Sequence, residues 1–224
     1  MRTQAAELLA QKQELEEQGE LARLAPVMAI PPGVSGAHER ITLAFTALAQ
    51  SRAIWDTIGE RSVNQVRERS AAARTVERRL VKFDVAPCPL LEALQKVPHM
   101  QNANGGDLYL FPAFIVYFIS RDKFALLEYS MVNLEMSHIE FLEDGTEIPS
   151  DAQRGEGTWL RVNKSGSPDM RFKDNRRIPT AIYGKLEYSS TQGLREEYMV
   201  SNRKSAEGFF EAWKRFVAAV SLGS

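Results

Sequence analysis

The residues best suited to chemistry lie in one loop-like run, residues 158–184, which reads TWLRVNKSGSPDMRFKDNRRIPTAIYG. Its Pro-Asp pair would be the first half of a metal-dependent nuclease site, which also needs a second acid and a lysine, spaced as D/E-x-K, to hold Mg²⁺ and activate water. Lys185 stands where that lysine would be, but Tyr-Gly precedes it and the acid is missing. The run therefore does not predict a nuclease. Asp169 is better explained as a turn residue that accepts backbone N–H groups or pairs with Arg171.

The sequence lacks the other common catalytic and metal-binding motifs. Its three histidines, at positions 38, 99 and 138, are far apart and have no metal-ligand spacing. Cys88 is the single cysteine, and no triad-like pattern accompanies it. The pair Gly105-Gly106 matches neither a P-loop nor a dinucleotide fingerprint. We therefore expect a protein that is not an enzyme and that binds no cofactor and no metal.

Two interpretations of the run remain open, and they are compatible. In the structural one, Trp159 and Phe172 are anchors that plug the end of a β-structure, while the polar side chains of the run satisfy backbone groups of a long loop. In the functional one, the basic side chains form a rim that binds phosphate or carboxylate groups. These candidate binding residues are Arg161, Lys164, Arg171, Lys173, Arg176 and Arg177.

The charge of the chain is arranged in alternating blocks. The net charge is −1, which argues against a generic nucleic-acid binder. The charged residues are mostly basic in residues 61–82, mostly acidic in residues 128–157 and again mostly basic in residues 161–177. The favoured interpretation is that the blocks form salt bridges with one another, and the alternative is a charged docking surface.

The composition predicts a cytoplasmic protein. A single cysteine cannot form an internal disulfide, which favours a reducing compartment. The N-terminus lacks the apolar core of a signal peptide. The apolar run over residues 108–120 is too short to cross a bilayer as a helix.

The first third of the chain predicts helices joined by a linker. Apolar residues at helical spacing indicate an N-terminal helix over residues 1–25, whose thin apolar stripe needs a partner to be stable. The prolines and glycines of residues 26–36 predict a linker. Residues 37–79 show helical spacing again and predict one or two helices.

From Leu80 onward the period changes to that of β-strands. Strands are predicted over residues 81–85, 108–112, 113–120, 124–130, 133–143, 178–190 and 194–201, with turns rich in Gly, Asn and Asp between them. Residues 202–222 then predict an amphipathic helix with Asn202 as its N-cap. Its broad apolar stripe, which includes Trp213, must cover a β-structure or a partner.

This order predicts an α+β fold: N-terminal helical segments, then an antiparallel, partly open β-barrel closed by the C-terminal helix. Residues 80–221 resemble the pleckstrin-homology-like (PH-like) family, including its GRAM-like bacterial members. The resemblance rests on "GGDLYLFPAFIVYF", "NLEMSHIEFLE", the hairpin around 191–193 and the closing helix. The pattern "TW…NKSGSPDMRF…N…IP…YG" is also similar to uncharacterised bacterial proteins that carry such a domain.

The resemblance implies a binding module, because domains of this kind mostly bind phosphoinositides, peptides or partner domains. Together with the missing motifs, it favours an adaptor that docks a protein partner, with the helical segments tethering or oligomerising it, for example as a coiled coil. Two alternatives stay open. The basic loop 161–177 would bind anionic lipid head groups, or the chain would be an accessory factor associated with nucleic acid.

Overall fold

The computed structural model describes residues 32–62, 74–91, 96–144, 147–163 and 165–223. The predicted helix over residues 1–25 lies outside them, and so does Lys164. Helix α1 (Pro32–Ala49) is followed by a long β-region and by helix α2 (Arg203–Gly223). The class is therefore α+β, as the sequence predicted.

Five strands in chain order form the first sheet, which is an antiparallel meander. They are β3 (Phe83–Ala86), β4 (Val97–Met100), β5 (Asp107–Leu110), β6 (Ile115–Ser120) and β7 (Lys123–Leu127). One face of this sheet packs into the main core through side chains such as Phe83, Met100 and Leu108. The other face carries a smaller apolar cluster around Cys88 and Tyr109.

The second sheet consists of strands β1 (Ile54–Ser62), β2 (Arg74–Leu80), β8 (Val132–Leu142), β9 (Gln153–Arg154), β12 (Thr180–Ser190) and β13 (Arg195–Val200). Their order in the sheet is β2-β1-β13-β12-β8, and β9 pairs with the end of β12. A 3₁₀ turn (Tyr129–Met131) links β7 to β8. Two short strands, β10 (Thr158–Trp159) and β11 (Arg177–Ile178), pair separately.

The two helices pack on each other and cover the main core between the sheets. Phe45 of α1 lies 5.9 Å from Phe209 of α2, measured between ring centroids. A methyl group at Gly184 of β12 would lie 2.6 Å from the Cβ of Ala206, so glycine at this position lets α2 approach the sheet closely. Asn202 caps α2 as predicted, because its Oδ1 accepts the backbone N–H of Ser205 at 3.1 Å.

The prediction of helices throughout residues 37–79 was wrong. Among the described residues of this range, the helix ends at Ala49, and β1 (Ile54–Ser62) and β2 (Arg74–Leu80) follow it. Both faces of β1 are buried, since Ile54 packs into the main core and Trp55 into a second apolar cluster, so the strand shows no alternation of polar and apolar residues. The predicted linker is also too long, because α1 begins at Pro32. Proline is well suited to the first helical turn, where its missing N–H leaves no hydrogen bond unmade.

The predicted barrel and its boundary need correction too. The described strands form separate sheets and do not close into a barrel. The boundary predicted near Leu80 falls between β2 and β3, inside the packed body, because β1 pairs with β13 from the end of the chain. The β-structure therefore includes strands from before residue 80.

Candidate functional site

The basic run forms a β-hairpin-like segment, residues 158–178, which we call the arm. Its foot is the pairing of β10 with β11, and Leu160 N–H donates to the carbonyl of Arg176 at 2.9 Å. Further out, Asn175 spans the arm: its Oδ1 accepts the N–H of Arg161, and its Nδ2 donates to the carbonyl of Arg161, both at 2.9 Å. These hydrogen bonds fix a backbone that a loop of this length would otherwise leave unpaired.

Asp169 is the buried centre of the arm, with 2 % of its surface exposed. Its carboxylate accepts two hydrogen bonds from the Arg171 guanidinium, at 2.8 and 2.7 Å, and one from the Arg171 backbone N–H at 3.2 Å. The turn role and the pairing with Arg171 that the sequence suggested are therefore both present. The carboxylate raises the pKa of Arg171 by hydrogen bonding and by its charge, so this guanidinium stays charged.

The structure does not bring the predicted cations together as one free basic rim. Arg176 pairs with Asp144, and Arg177 donates to the carbonyl of Glu156 at 3.0 Å. The guanidinium carbon of Arg161 lies 5.6 Å from the ring centroid of Phe172. Lys173 is exposed beside them.

The predicted anchors divide between two places. Trp159 and Phe172 are half-buried in the arm, and neither belongs to the apolar clusters found among the described residues. Trp213 lies in the main core, where its ring packs against Tyr129 and Tyr188. Trp213 therefore stabilises the helix–sheet contact and is separate from the arm.

A buried ion pair ties the chain that leads into the arm to the second sheet. Glu143 accepts two hydrogen bonds from Arg78 of β2, at 2.7 and 2.8 Å, and a third from the Tyr183 hydroxyl at 2.6 Å. The Arg78 guanidinium lies between the rings of Trp55 and Phe141, with its carbon 4.1 Å from each centroid. Aromatic faces and a bidentate carboxylate together compensate the burial of this charge.

Two of these ion pairs join charge blocks to one another. Arg78 of the first basic block meets Glu143 of the acidic block, and Asp144 of the acidic block meets Arg176 of the second basic block. Mutual salt bridges therefore account for part of the charge alternation, as the favoured interpretation predicted.

The sequence did not predict a second polar site, a cluster of buried carboxylates where the β4–β5 turn meets the second sheet. Asp56 of β1 accepts the backbone N–H of Ala103 at 2.8 Å. Glu196 of β13 accepts hydrogen bonds from the Tyr117 hydroxyl, at 2.8 Å, and from the Asn102 amide. The cluster thus fastens the turn between the two sheets.

Burial raises the pKa of both carboxyl groups in this cluster. For Asp56, desolvation outweighs the hydrogen bond from Ala103 and the charge of Arg79. For Glu196, desolvation, reinforced by the nearby charge of Asp56, outweighs the hydrogen bonds that Glu196 accepts. The cluster therefore holds two carboxyl groups whose pKa is raised.

One signal in the sequence could have indicated this cluster: the turn "NANGGD". A methyl group at Gly105 would lie 2.7 Å from Glu196 Oε1, and one at Gly106 would lie 2.9 Å from a side-chain carbon of Ile119. Two adjacent glycines are thus required by the close approach of the turn to Glu196 and Ile119.

His99, beside this cluster, lies between two aspartates. Its Nδ1 is 2.8 Å from Asp84 Oδ1 and its Nε2 is 3.2 Å from Asp107 Oδ2, while its ring stacks on Tyr109. Burial opposes the charge on His99, but hydrogen bonds and charges from Asp107 and Asp84 outweigh it and raise the pKa of the imidazole. Both ring nitrogens are engaged, so His99 acts as a cross-strand tie between β3, β4 and β5.

Within the described residues, no group of three or more His, Cys, Asp or Glu side chains is placed to hold a metal ion. In the same part of the chain, no helix has the length and apolarity to cross a membrane. No protein-family model, curated protein or solved structure matches the chain. The resemblance to PH-like domains therefore stays a prediction.

Proposed function

We propose that the chain is a non-catalytic interaction module that docks a protein partner through the arm. The observation that carries the proposal is Met170, whose side chain is 85 % exposed at a point where hydrogen bonds fix the backbone on both sides. Burying a methionine side chain stabilises a complex by roughly 1.5–3 kcal/mol. A loop that is already ordered loses little further entropy when it binds.

The charges around Met170 favour an acidic partner surface. Met170 lies between Asp169 and Arg171 in the sequence, with Lys173 three residues further on, and two-thirds of the Arg171 side chain (66 %) is exposed although its guanidinium also pairs with Asp169. Arg161 and Arg177 are further basic residues of the arm, and Lys164 adds a positive charge in its sequence. A methionine beside arginine and lysine can bind an apolar spot that carboxylates surround.

Anionic lipid and nucleic acid are the alternatives, and the ion pairs of the arm argue against them. Binding to either depends on the sum of uncompensated positive charges. Asp169 and Asp144 compensate Arg171 and Arg176. A protein surface, which can pair with single cations and also bury Met170, fits the arm better. We place this function in the cytoplasm, where the buried thiol of Cys88 stays reduced.

The test is site-specific photo-crosslinking in the native host, with a photoreactive phenylalanine analogue at position 170 and, as control, at the exposed Lys204 of α2. We expect a discrete protein adduct at position 170 that is absent at position 204. Adding Lys173→Glu should weaken this adduct, and Lys173 is a better choice than Arg171 or Arg176, which hold carboxylates within the chain. No adduct at position 170, or the same adducts at both positions, would contradict the proposal.

Binding assays with the purified chain then test whether the arm binds anionic lipid or nucleic acid instead of a protein. Co-sedimentation with phosphatidylserine vesicles and filter binding to duplex DNA are measured over a salt series for wild type and Met170→Asp. Binding to vesicles or DNA that falls steeply with salt and is lost in Met170→Asp would move the arm to that ligand class.

A further inference from the structure

A second surface, at the edge of the first sheet, suggests how the chain associates with itself, independently of the arm. Four of the eight exposed large apolar side chains of the described residues fall within residues 119–131: Ile119, Phe124, Leu126 and Met131. Phe124 and Leu126 belong to β7 and are 44 % and 56 % exposed. In the described part of the chain, β7 pairs with β6 alone and is an edge strand.

The two edge strands of the second sheet, β2 and β8, carry charges that oppose strand addition. Exposed Glu77 and Arg79 lie on β2, and exposed Glu135 and Glu140 lie on β8. Charged edge strands are a common protection against edge-to-edge pairing. The β7 sequence KFALL carries one charge, Lys123, at its first position, and it has no proline or bulge near its centre.

We propose that β7 is the interface of a symmetric homodimer, in which the β7 strands of two copies pair antiparallel about a two-fold axis at Ala125. This register places Phe124 opposite Leu126 of the second copy, twice, on the sheet face away from the main core. It is the self-complementary arrangement that a two-fold interface requires. Aromatic–aliphatic cross-strand pairs of this kind stabilise antiparallel sheets.

The opposite side of β7 fits the same register. A groove of about 230 Å³ runs between β7 and the β12–β13 turn, with Ala125, Leu127 and Leu194 in its wall. Lys123 stands opposite Leu127 of the second copy in this register, so its aliphatic stem lies over the groove of that copy.

The first test is sedimentation equilibrium of the full chain over a range of micromolar concentrations. Wild type should be a dimer, and Leu126→Glu should raise the dissociation constant by roughly 100-fold, because each interface contains the substitution twice. The matched control is Leu43→Glu on α1, where the leucine is 71 % exposed and far in sequence from β7. A monomeric wild type, an unchanged dimer in Leu126→Glu, or equal dissociation in Leu43→Glu would overturn the proposal.

The second test does not introduce a charge into the interface. Directly opposite Cα atoms in an antiparallel pair lie about 4.5–5.5 Å apart, which is within disulfide range. Ala125→Cys should therefore form an intermolecular disulfide under mild oxidation. Ser189→Cys, at an exposed position of β12, should not, and the buried Cys88 should not react in wild type. Failure of Ala125→Cys to crosslink in a sample that sediments as a dimer would exclude this register.

Discussion

Removing one partner of the buried ion pair Arg78–Glu143 should destabilise the fold far more than removing one partner of the exposed pair Arg176–Asp144. Side-chain exposure is 13 % and 1 % for the first pair but 57 % and 42 % for the second. Removing one partner of a buried pair costs about 3–5 kcal/mol, since it leaves an uncompensated charge, whereas an exposed pair contributes at most about 1 kcal/mol. Because Arg78 keeps some contact with solvent, we expect a loss of about 3 kcal/mol for Glu143→Ala.

Thermal unfolding followed by circular dichroism at neutral pH measures this difference. For a chain of this length, a loss of 1 kcal/mol lowers Tm by roughly 2–4 °C, so Glu143→Ala should lower Tm by roughly 6–12 °C. Asp144→Ala should lower it by about 4 °C at most. The double variant Arg78→Met with Glu143→Leu should recover at least half of the loss, because no charge then stays buried. Equal shifts for Glu143→Ala and Asp144→Ala would refute the reasoning.

Two further predictions concern the β4–β5 turn and its surroundings. His99 has a pKa raised above 6.5, so its interactions with its two aspartate partners stabilise the fold fully below that pH, and the stabilisation is lost as pH rises through the folded-state pKa. His99→Gln should therefore make the free energy of unfolding less dependent on pH between about 5 and 8. Urea titrations at several pH values measure this free energy, and the same pH dependence in wild type and in His99→Gln would contradict the assignment. Gly105→Ala should cost about 1–3 kcal/mol in the same assay, because its methyl group would lie 2.7 Å from Glu196 Oε1. Gly208→Ala on α2, where nothing lies within 4 Å, should instead be neutral or stabilising by up to about 1 kcal/mol, and a loss there as large as that of Gly105→Ala would remove the steric explanation.

The strands that sequence periodicity predicted well are those with one face in the core and one outside it. β8 is an example, since Val132 and Leu134 are buried while Asn133 and Glu135 are exposed. β1 and β2 lacked this signal. In β1, Trp55 packs into the second apolar cluster while its neighbour Ile54 packs into the main core. In β2, Arg78 packs against Trp55 of that second cluster, although a hydrophobicity pattern counts arginine as polar. A cation stacked between aromatic rings cannot be told from a solvated one in sequence.

The candidate site was predictable only in part, for a related reason. The composition of the arm indicated a loop stabilised by its own side chains, and Asp169 and its partner Arg171 are only two residues apart. The partners of the other cations are not local: Arg176 reaches Asp144, 32 positions away. The carboxylate cluster joins Asp56 to Glu196 through the turn at residue 102, and no local pattern reports a contact over such a separation.

The pairing of β1 with β13 has a consequence for how the protein is made. Ile54 pairs with Val200, so the second sheet cannot be completed until residue 200 has left the ribosome. Helix α2, which covers the main core, is synthesised after every strand that the structure describes. This body therefore completes its folding only after α2 has emerged, and the completion depends on contacts between residues far apart in sequence. During that interval the main core, which includes Leu127 of β7, is not yet covered by α2, so an incomplete chain exposes apolar surface that a chaperone can bind.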